Sequence, residues 1–151
     1  MPDFKHGPLR TGRFKVEIDG VETSGFKRVD IPAQSTKHVE YREGKDPDHH
    51  RKLWGQSEYE DLTMERGAKK GDTVLFDWRK KVTEGKMEEA RKNIAVALQD
   101  SVGQAQIRWE FTNGWPKRYE PPTLETGSQG GQGNVATETV VIVYDEMKRI
   151  K

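Results

Sequence analysis

The chain has 151 residues, 26 of them basic and 25 acidic, with a formal net charge of +1 and no cysteine. Such a length is one domain by the usual prior, the balanced charge demands no polyanionic partner such as nucleic acid, and the lack of cysteine excludes disulfide staples, thiolate ligands and a cysteine nucleophile. Only 32% of residues are hydrophobic against 34% charged, which predicts a thin core completed by neighbouring chains.

Residues 1–12, with Gly7, Pro8 and Gly12, read as a flexible arm. Met1-Pro2-Asp3-Phe4-Lys5-His6 lacks the apolar core of a secretory signal, and no apolar run approaches the roughly 18 residues that span a bilayer. The expectation is a single domain over 1–151, assembled in the cytoplasm without membrane insertion. Phe14, Val16 and Ile18 alternate with Lys15 and Glu17 as a half-buried strand. Asp19-Gly20 is a hairpin turn, and the chain returns through residues 21–29.

After Pro32, residues 34–43 alternate again, with Val39 and Tyr41 on one face and His38, Glu40 and Arg42 on the other. Gly44-Lys45-Asp46-Pro47-Asp48 is a turn cluster, followed by a short return strand over about 49–54. A further strand carries Leu62 and Met64 and closes at Gly67. Residues 72–84 form the helix: Asp72 is the expected N-cap, Val74, Leu75, Trp78 and Val82 make one apolar stripe, and Gly85 is a left-handed stop.

Ile94, Val96 and Leu98 then share a strand face, with Ala95 and Ala97 opposite. On the next strand, Ile107, Trp109 and Phe111 lie opposite Gln106, Arg108, Glu110 and Thr112. Pro116, Pro121 and Pro122 are expected to end regular pairing, and residues 127–134 to form a Gly-rich loop. Val140-Val141-Ile142-Val143 predicts a last strand, about 136–146, covered on both faces. The fold class is mainly β: an antiparallel β-sandwich or barrel of about seven strands with one packed α-helix.

Catalytic and ligand patterns are weak. Asp46, Asp48, His49 and His50 could suggest a metal, but adjacent histidines on a strand face opposite ways. The Gly-rich stretch lacks the Lys-Ser/Thr ending of a phosphate loop and leads through Asn134-Val135-Ala136 into a strand. No Gly-x-Ser-x-Gly elbow occurs, and Glu58, Glu60, Asp61 and Glu65 read as a solvated acidic face. No enzyme activity, cofactor or metal is expected. Trp78 and Trp109 lie on apolar faces; Trp54 and Trp115 sit at strand ends, where exposed aromatics could stack on sugars or bases. A carbohydrate- or single-strand-nucleic-acid-binding module is therefore the alternative reading.

Four phrases occur in one order: Phe14-Lys15-Val16-Glu17-Ile18-Asp19-Gly20-Val21-Glu22; Tyr41-Arg42-Glu43-Gly44 running to Arg51-Lys52-Leu53-Trp54-Gly55; Asp77-Trp78-Arg79-Lys80-Lys81-Val82; and Phe111-Thr112-Asn113-Gly114-Trp115-Pro116. In order and spacing they resemble the contractile phage tail tube family, which includes T4-like tail tubes and the inner tubes of contractile injection systems. Trp54 stands where the family pattern has proline, and the Gly-rich loop is longer than usual. The resemblance implies hexameric rings with a continuous inner β-barrel, stacked into a hollow tube inside a sheath. Sheath contraction would drive the tube through a target envelope, and cargo or DNA would pass along its lumen. The implied partners are further copies of the chain, the sheath protein, baseplate or hub proteins and a tail terminator, all within a phage tail or injection particle. On this frame the hairpin tip 43–50 makes inter-ring contacts through Glu43, Lys45, Asp46, Asp48, His49 and Arg51. The polar faces His38, Glu40, Arg42 and Gln106, Arg108, Glu110 are candidates for the lumen wall, and Arg79, Lys80, Glu84 and Lys86 of the helix face the sheath.

Overall fold

The structure is a computed structural model that describes residues 9–41, 51–126 and 135–151. Most of the expected N-terminal arm, the hairpin tip 43–50 and the loop 127–134 lie outside the described residues. Strand β1 (Phe14–Ile18) turns into β2 (Val21–Thr23) through Asp19 and Gly20, at φ 53° and 78°. Both turn residues are left-handed, as a two-residue hairpin that matches strand twist requires. The return strand does not run on to residue 29 as expected: Gly25, at φ 90°, breaks it. The chain then leaves as β3 (Phe26–Asp30), which pairs with β6 (Leu62–Gly67) instead of β1.

Antiparallel pairing runs in the order β2-β1-β7-β8-β9-β6-β3, where β7 is Lys92–Gln99, β8 Ala105–Glu120 and β9 Thr137–Val143. A short β10 (Glu146–Arg149), not foreseen in the sequence, continues β9 along the same strand β8. Strand β8 is the organising element. Its first part pairs with β7 and β10, and its last part, Trp115–Glu120, pairs with β9.

Pro116 therefore does not end the strand. It sits buried at a register shift, opposite Ile142, where an extra residue interrupts the ladder and a missing N–H costs little. Just before it the backbone bends: Asn113 is left-handed at φ 52°. A Cβ on Gly114 would lie 2.7 Å from Ile94 Cδ1 and 3.3 Å from the Lys92 carbonyl oxygen. This corner folds one half of the sheet over the other. Val16, Ile18, Ile94, Val96 and Phe111 from the first half meet Leu62, Met64, Val140 and Ile142 from the second in one core.

Helix α1 (Val74–Thr83) closes that core with Leu75 and Trp78. The Trp78 indole N–H donates to the Ala90 carbonyl at 2.6 Å, tying down a short second helix α2 (Met87–Ala90) that the sequence did not announce. The helix starts later than expected. Thr73 takes the cap position without a side-chain bond, while Asp72 still accepts from the Val74 amide at 3.3 Å. Val74 leaves the apolar stripe and is 53% exposed. Gly85 ends the helix in the left-handed region, as expected. Within the apolar run of β9, Val140 and Ile142 are buried while Val141 and Val143 are half-buried, so the run is fully covered on one face, not both.

The remaining strands, β4 (Gln34–Tyr41) and β5 (Arg51–Tyr59), form a separate two-stranded sheet. The return strand thus reaches Tyr59 instead of stopping near 54.

Candidate assembly surfaces

On one face of β1, β7 and β8 the register alternates charged and small residues. Glu17 lies opposite Ala95, which lies opposite Glu110; Lys15 lies opposite Ala97, which lies opposite Arg108. The middle strand carries only methyl groups here, so long side chains reach across it. Arg108 Nη2 meets Glu17 at 2.9 Å and its Nε meets Glu110 at 3.1 Å, while Lys15 Nζ lies 3.5 Å from Glu17. Ala95 and Ala97 are buried. Hydrogen bonding from Arg108 holds the Glu17 carboxyl below its ordinary value, against the opposing effect of burial. Gln106 donates to Asp100 at 3.0 Å, and Thr112 continues the row opposite Glu146. Sequence reasoning singled out Arg108 and Glu110 but missed Lys15 and Glu17 as their partners. Their alternation was visible; the cross-strand register was not.

The β4–β5 hairpin has a different character. Residues 33–39 and 56–60 are all exposed, including Val39 and Tyr59. Polar cross-strand pairs hold it: Lys37 to Glu58 at 2.7 Å, which raises the Lys37 pKa through that hydrogen bond, and Thr36 to Ser57 at 3.0 Å. Its base is fixed by Tyr144, whose hydroxyl donates to the Glu60 carbonyl at 2.8 Å. His38 lies here, opposite Trp54 in the backbone register, in a different sheet from Arg108 and Glu110. In the same backbone register Glu40 lies opposite Lys52 and Tyr41 opposite Arg51. Arg42, Glu43, Lys45, Asp46, Asp48 and His49 lie outside the described residues.

On α1, Lys80 is exposed and Arg79 is half-buried. Glu84 just past the helix lies 3.9 Å from Lys80 and 3.2 Å from Lys86. Phe76, 52% exposed, packs edge-on against Tyr119 with ring centroids 5.6 Å apart. Trp115 is half-buried against the core and not free at a strand end, which removes one of the two aromatics that the binding-module reading needed.

Behind α1 lies a buried charge network that sequence reasoning missed. Arg66 of β6 donates to Glu138 of β9 at 3.0 Å and to Asp72 at 2.6 Å. The Tyr119 hydroxyl donates to the other Glu138 oxygen at 2.7 Å. Burial opposes the Arg66 charge, but its bonds to Glu138 and Asp72 prevail and raise its pKa. The same Arg66 contact lowers the pKa of Asp72. The network joins two strands and the start of the helix.

A comparison with curated proteins finds no significant match. Solved structures share the fold. A chain of an extracellular contractile injection system, the "PVC sheath-tube complex in extended state", superposes with a TM-score of 0.81 at 23% identity, over 96% of this chain and 93% of that one. A chain of the anti-feeding prophage (AFP) baseplate gives 0.76 at 18% identity, over 95% of each chain. Hcp1 from Flavobacterium johnsoniae gives 0.55 at 17% identity, over 91% and 94%. The sequence model of the T4-like virus tail tube protein gp19 matches residues 10–148. With almost the whole chain matched, from the β1 hairpin to the last strand, this protein belongs to the T4-like tail tube protein gp19 family.

Proposed function

We propose that this tail tube protein assembles into hexameric rings that stack as the inner tube of a contractile injection system or phage tail, and that it catalyses nothing. The observation that carries this reading is the β4–β5 hairpin. A lone two-stranded hairpin is marginal in water, and this one is exposed over residues 33–39 and 56–60. A neighbouring copy supplies the missing cover. The outer strands β2 and β3 likewise leave unpaired backbone groups, a liability that ring closure removes.

In this reading the charged row of Lys15, Glu17, Arg108 and Glu110 lines the lumen, and its internally paired charges let cargo or DNA pass without sticking. His38, Glu40 and Arg42 are the second lumen candidates. Glu43, Lys45, Asp46, Asp48, His49 and Arg51 make inter-ring contacts, while Arg79, Lys80, Glu84 and Lys86 face the sheath. Baseplate and terminator proteins cap the tube, which forms in the cytoplasm before the particle acts.

Negative-stain electron microscopy of the purified chain across a salt series tests the reading. Rings or hollow tubes are expected, with stacking that weakens as salt rises because exposed ion pairs are screened. A monomer at every salt concentration, even with baseplate proteins present, would refute it. Replacing residues 43–50 by an Asn-Gly turn should spare the fold and abolish stacking. Exchanging the lumen pair, Glu17→Arg with Arg108→Glu, should leave tubes intact; loss of assembly would move that row to an interface.

A further inference from the structure

A groove opens at the start of β1, on the core side of the sheet and therefore on the face away from the charged row. Phe14 lies opposite Leu98 of β7, and Val96 opposite Trp109 of β8. These four, with Val29 of β3 and Ile31 just after it, line a groove of about 290 Å³. Phe14, Val29, Ile31, Leu98 and Trp109 are only half-buried, so it offers apolar surface to a further side chain. An apolar cavity of about 150 Å³ already admits benzene. Exposed Lys27 and Arg28 also line the groove and make its rim basic. Arg28 is held by Asp30 at 3.2 Å, while Lys27 has no ion pair among the described residues.

The described chain begins beside this groove. Thr11 is part of its lining, and Thr11 and Gly12 form a turn immediately before β1. The residues that precede Thr11 therefore start from the rim, and Leu9 is already half-buried. Their sequence is Met1-Pro2-Asp3-Phe4-Lys5-His6-Gly7-Pro8, with one phenyl ring at Phe4. The seven residues from Phe4 to Thr11 reach at most about 25 Å when extended. In an extended segment Asp3 and Lys5 point away from Phe4, so burying the ring leaves both charges at the rim.

We propose that residues 1–8 fold back over their own copy and seat Phe4 in this groove. The ring and the half-buried side chains around it then leave water together. Asp3 meets Lys27, and Lys5 meets Asp30 beside Arg28. The contact lies within one copy, so it goes beyond the tube reading and does not depend on it. Part of the cover that the thin core needs comes from the chain's own arm.

Because the chain has no cysteine, an introduced pair reports on this contact. Phe4→Cys with Ile31→Cys should, on mild oxidation of the purified chain, close an internal disulfide. The product is a monomer that runs ahead of its reduced form on a non-reducing gel. Dimers or a ladder from the same pair would place the arm in a neighbouring copy and overturn the proposal. No disulfide here, nor with Val29→Cys in place of Ile31→Cys, would overturn it as well. Trypsin gives an independent readout with the groove left intact. Phe4→Asp should speed cleavage after Lys5 roughly tenfold or more, as cleavage follows the population of the open arm, and leave cleavage within the strands unchanged. Phe4→Leu should stay near the parent rate. A Phe4→Asp rate equal to the parent's, or a rise matched at every other site, would count against the seating.

Discussion

Two charge networks of similar composition sit in different parts of the sheet, one on β1 and β8 and one on β6 and β9. In the Arg66–Glu138 pair the side chains are 3% and 6% exposed; in the Arg108–Glu17 pair they are 28% and 18% exposed, and Glu110 is 42%. Distances barely differ, at 3.0 and 2.9 Å. What differs is water. Each buried ion has lost its hydration and depends on its partners, whereas the surface set would find solvent if a partner vanished. Distance alone therefore does not rank ion pairs; the cost of leaving one partner stranded does.

The largest expected effect is at Glu138. Glu138→Ala leaves Arg66 buried against Asp72 alone and should destabilise by about 3–5 kcal/mol in urea titrations. The double variant Arg66→Met/Glu138→Leu should recover much of this loss, since it removes both buried charges; a double variant worse than the single would break the comparison. Next comes Tyr119→Phe, which strips a hydrogen bond from a buried carboxylate and should cost roughly 1.5–3 kcal/mol.

The same tyrosine predicts an alkaline limb. Burial, then the Glu138 bond, push its pKa from 10.0 up to about 12. A raised folded pKa gives stability that is complete below the unfolded value and lost as pH climbs from 10 toward about 12, and Tyr119→Phe should flatten that limb. At the acid end the sign reverses. Asp72 and Glu17 are both lowered, chiefly by Arg66 and Arg108 respectively. Their contribution is present above the unfolded carboxylate range and is lost as pH falls through the folded values, so Asp72→Asn should shallow the acid limb of a thermal melt series. The smallest effect belongs to Arg108→Ala, about 0–1 kcal/mol, fading in high salt; a loss as large as that of Glu138→Ala would refute the distinction.

Much of the sheet was legible because its signals are local. Asp19-Gly20 demanded a left-handed turn, Leu75 and Trp78 marked the buried side of the helix, and Phe14, Val16 and Ile18 set one strand. Errors arose where distant residues decide. Pro116 looked like a stop because a proline cannot donate, but the bulge that excuses it depends on β9, which lies beyond the Gly-rich stretch. Arg66 and Glu138 lie 72 residues apart, and no local pattern joins them. The surface row was half legible: the polar periodicity of Arg108 and Glu110 was plain, yet Lys15 and Glu17 joined them only through the register across Ala95 and Ala97.

Strand β8 has a dynamic consequence. Its 16 residues hydrogen-bond in both halves of the sandwich, so neither half can open without disturbing the other. Amides of β1 and β7 should therefore exchange with deuterium through the same rare opening as those of β6 and β9. The β4–β5 hairpin shares no strand with them, and in the free chain its amides should exchange through frequent, local excursions of its own. Assembly into a tube would then be seen first as protection of the hairpin, while the slow clock of the sandwich runs unchanged.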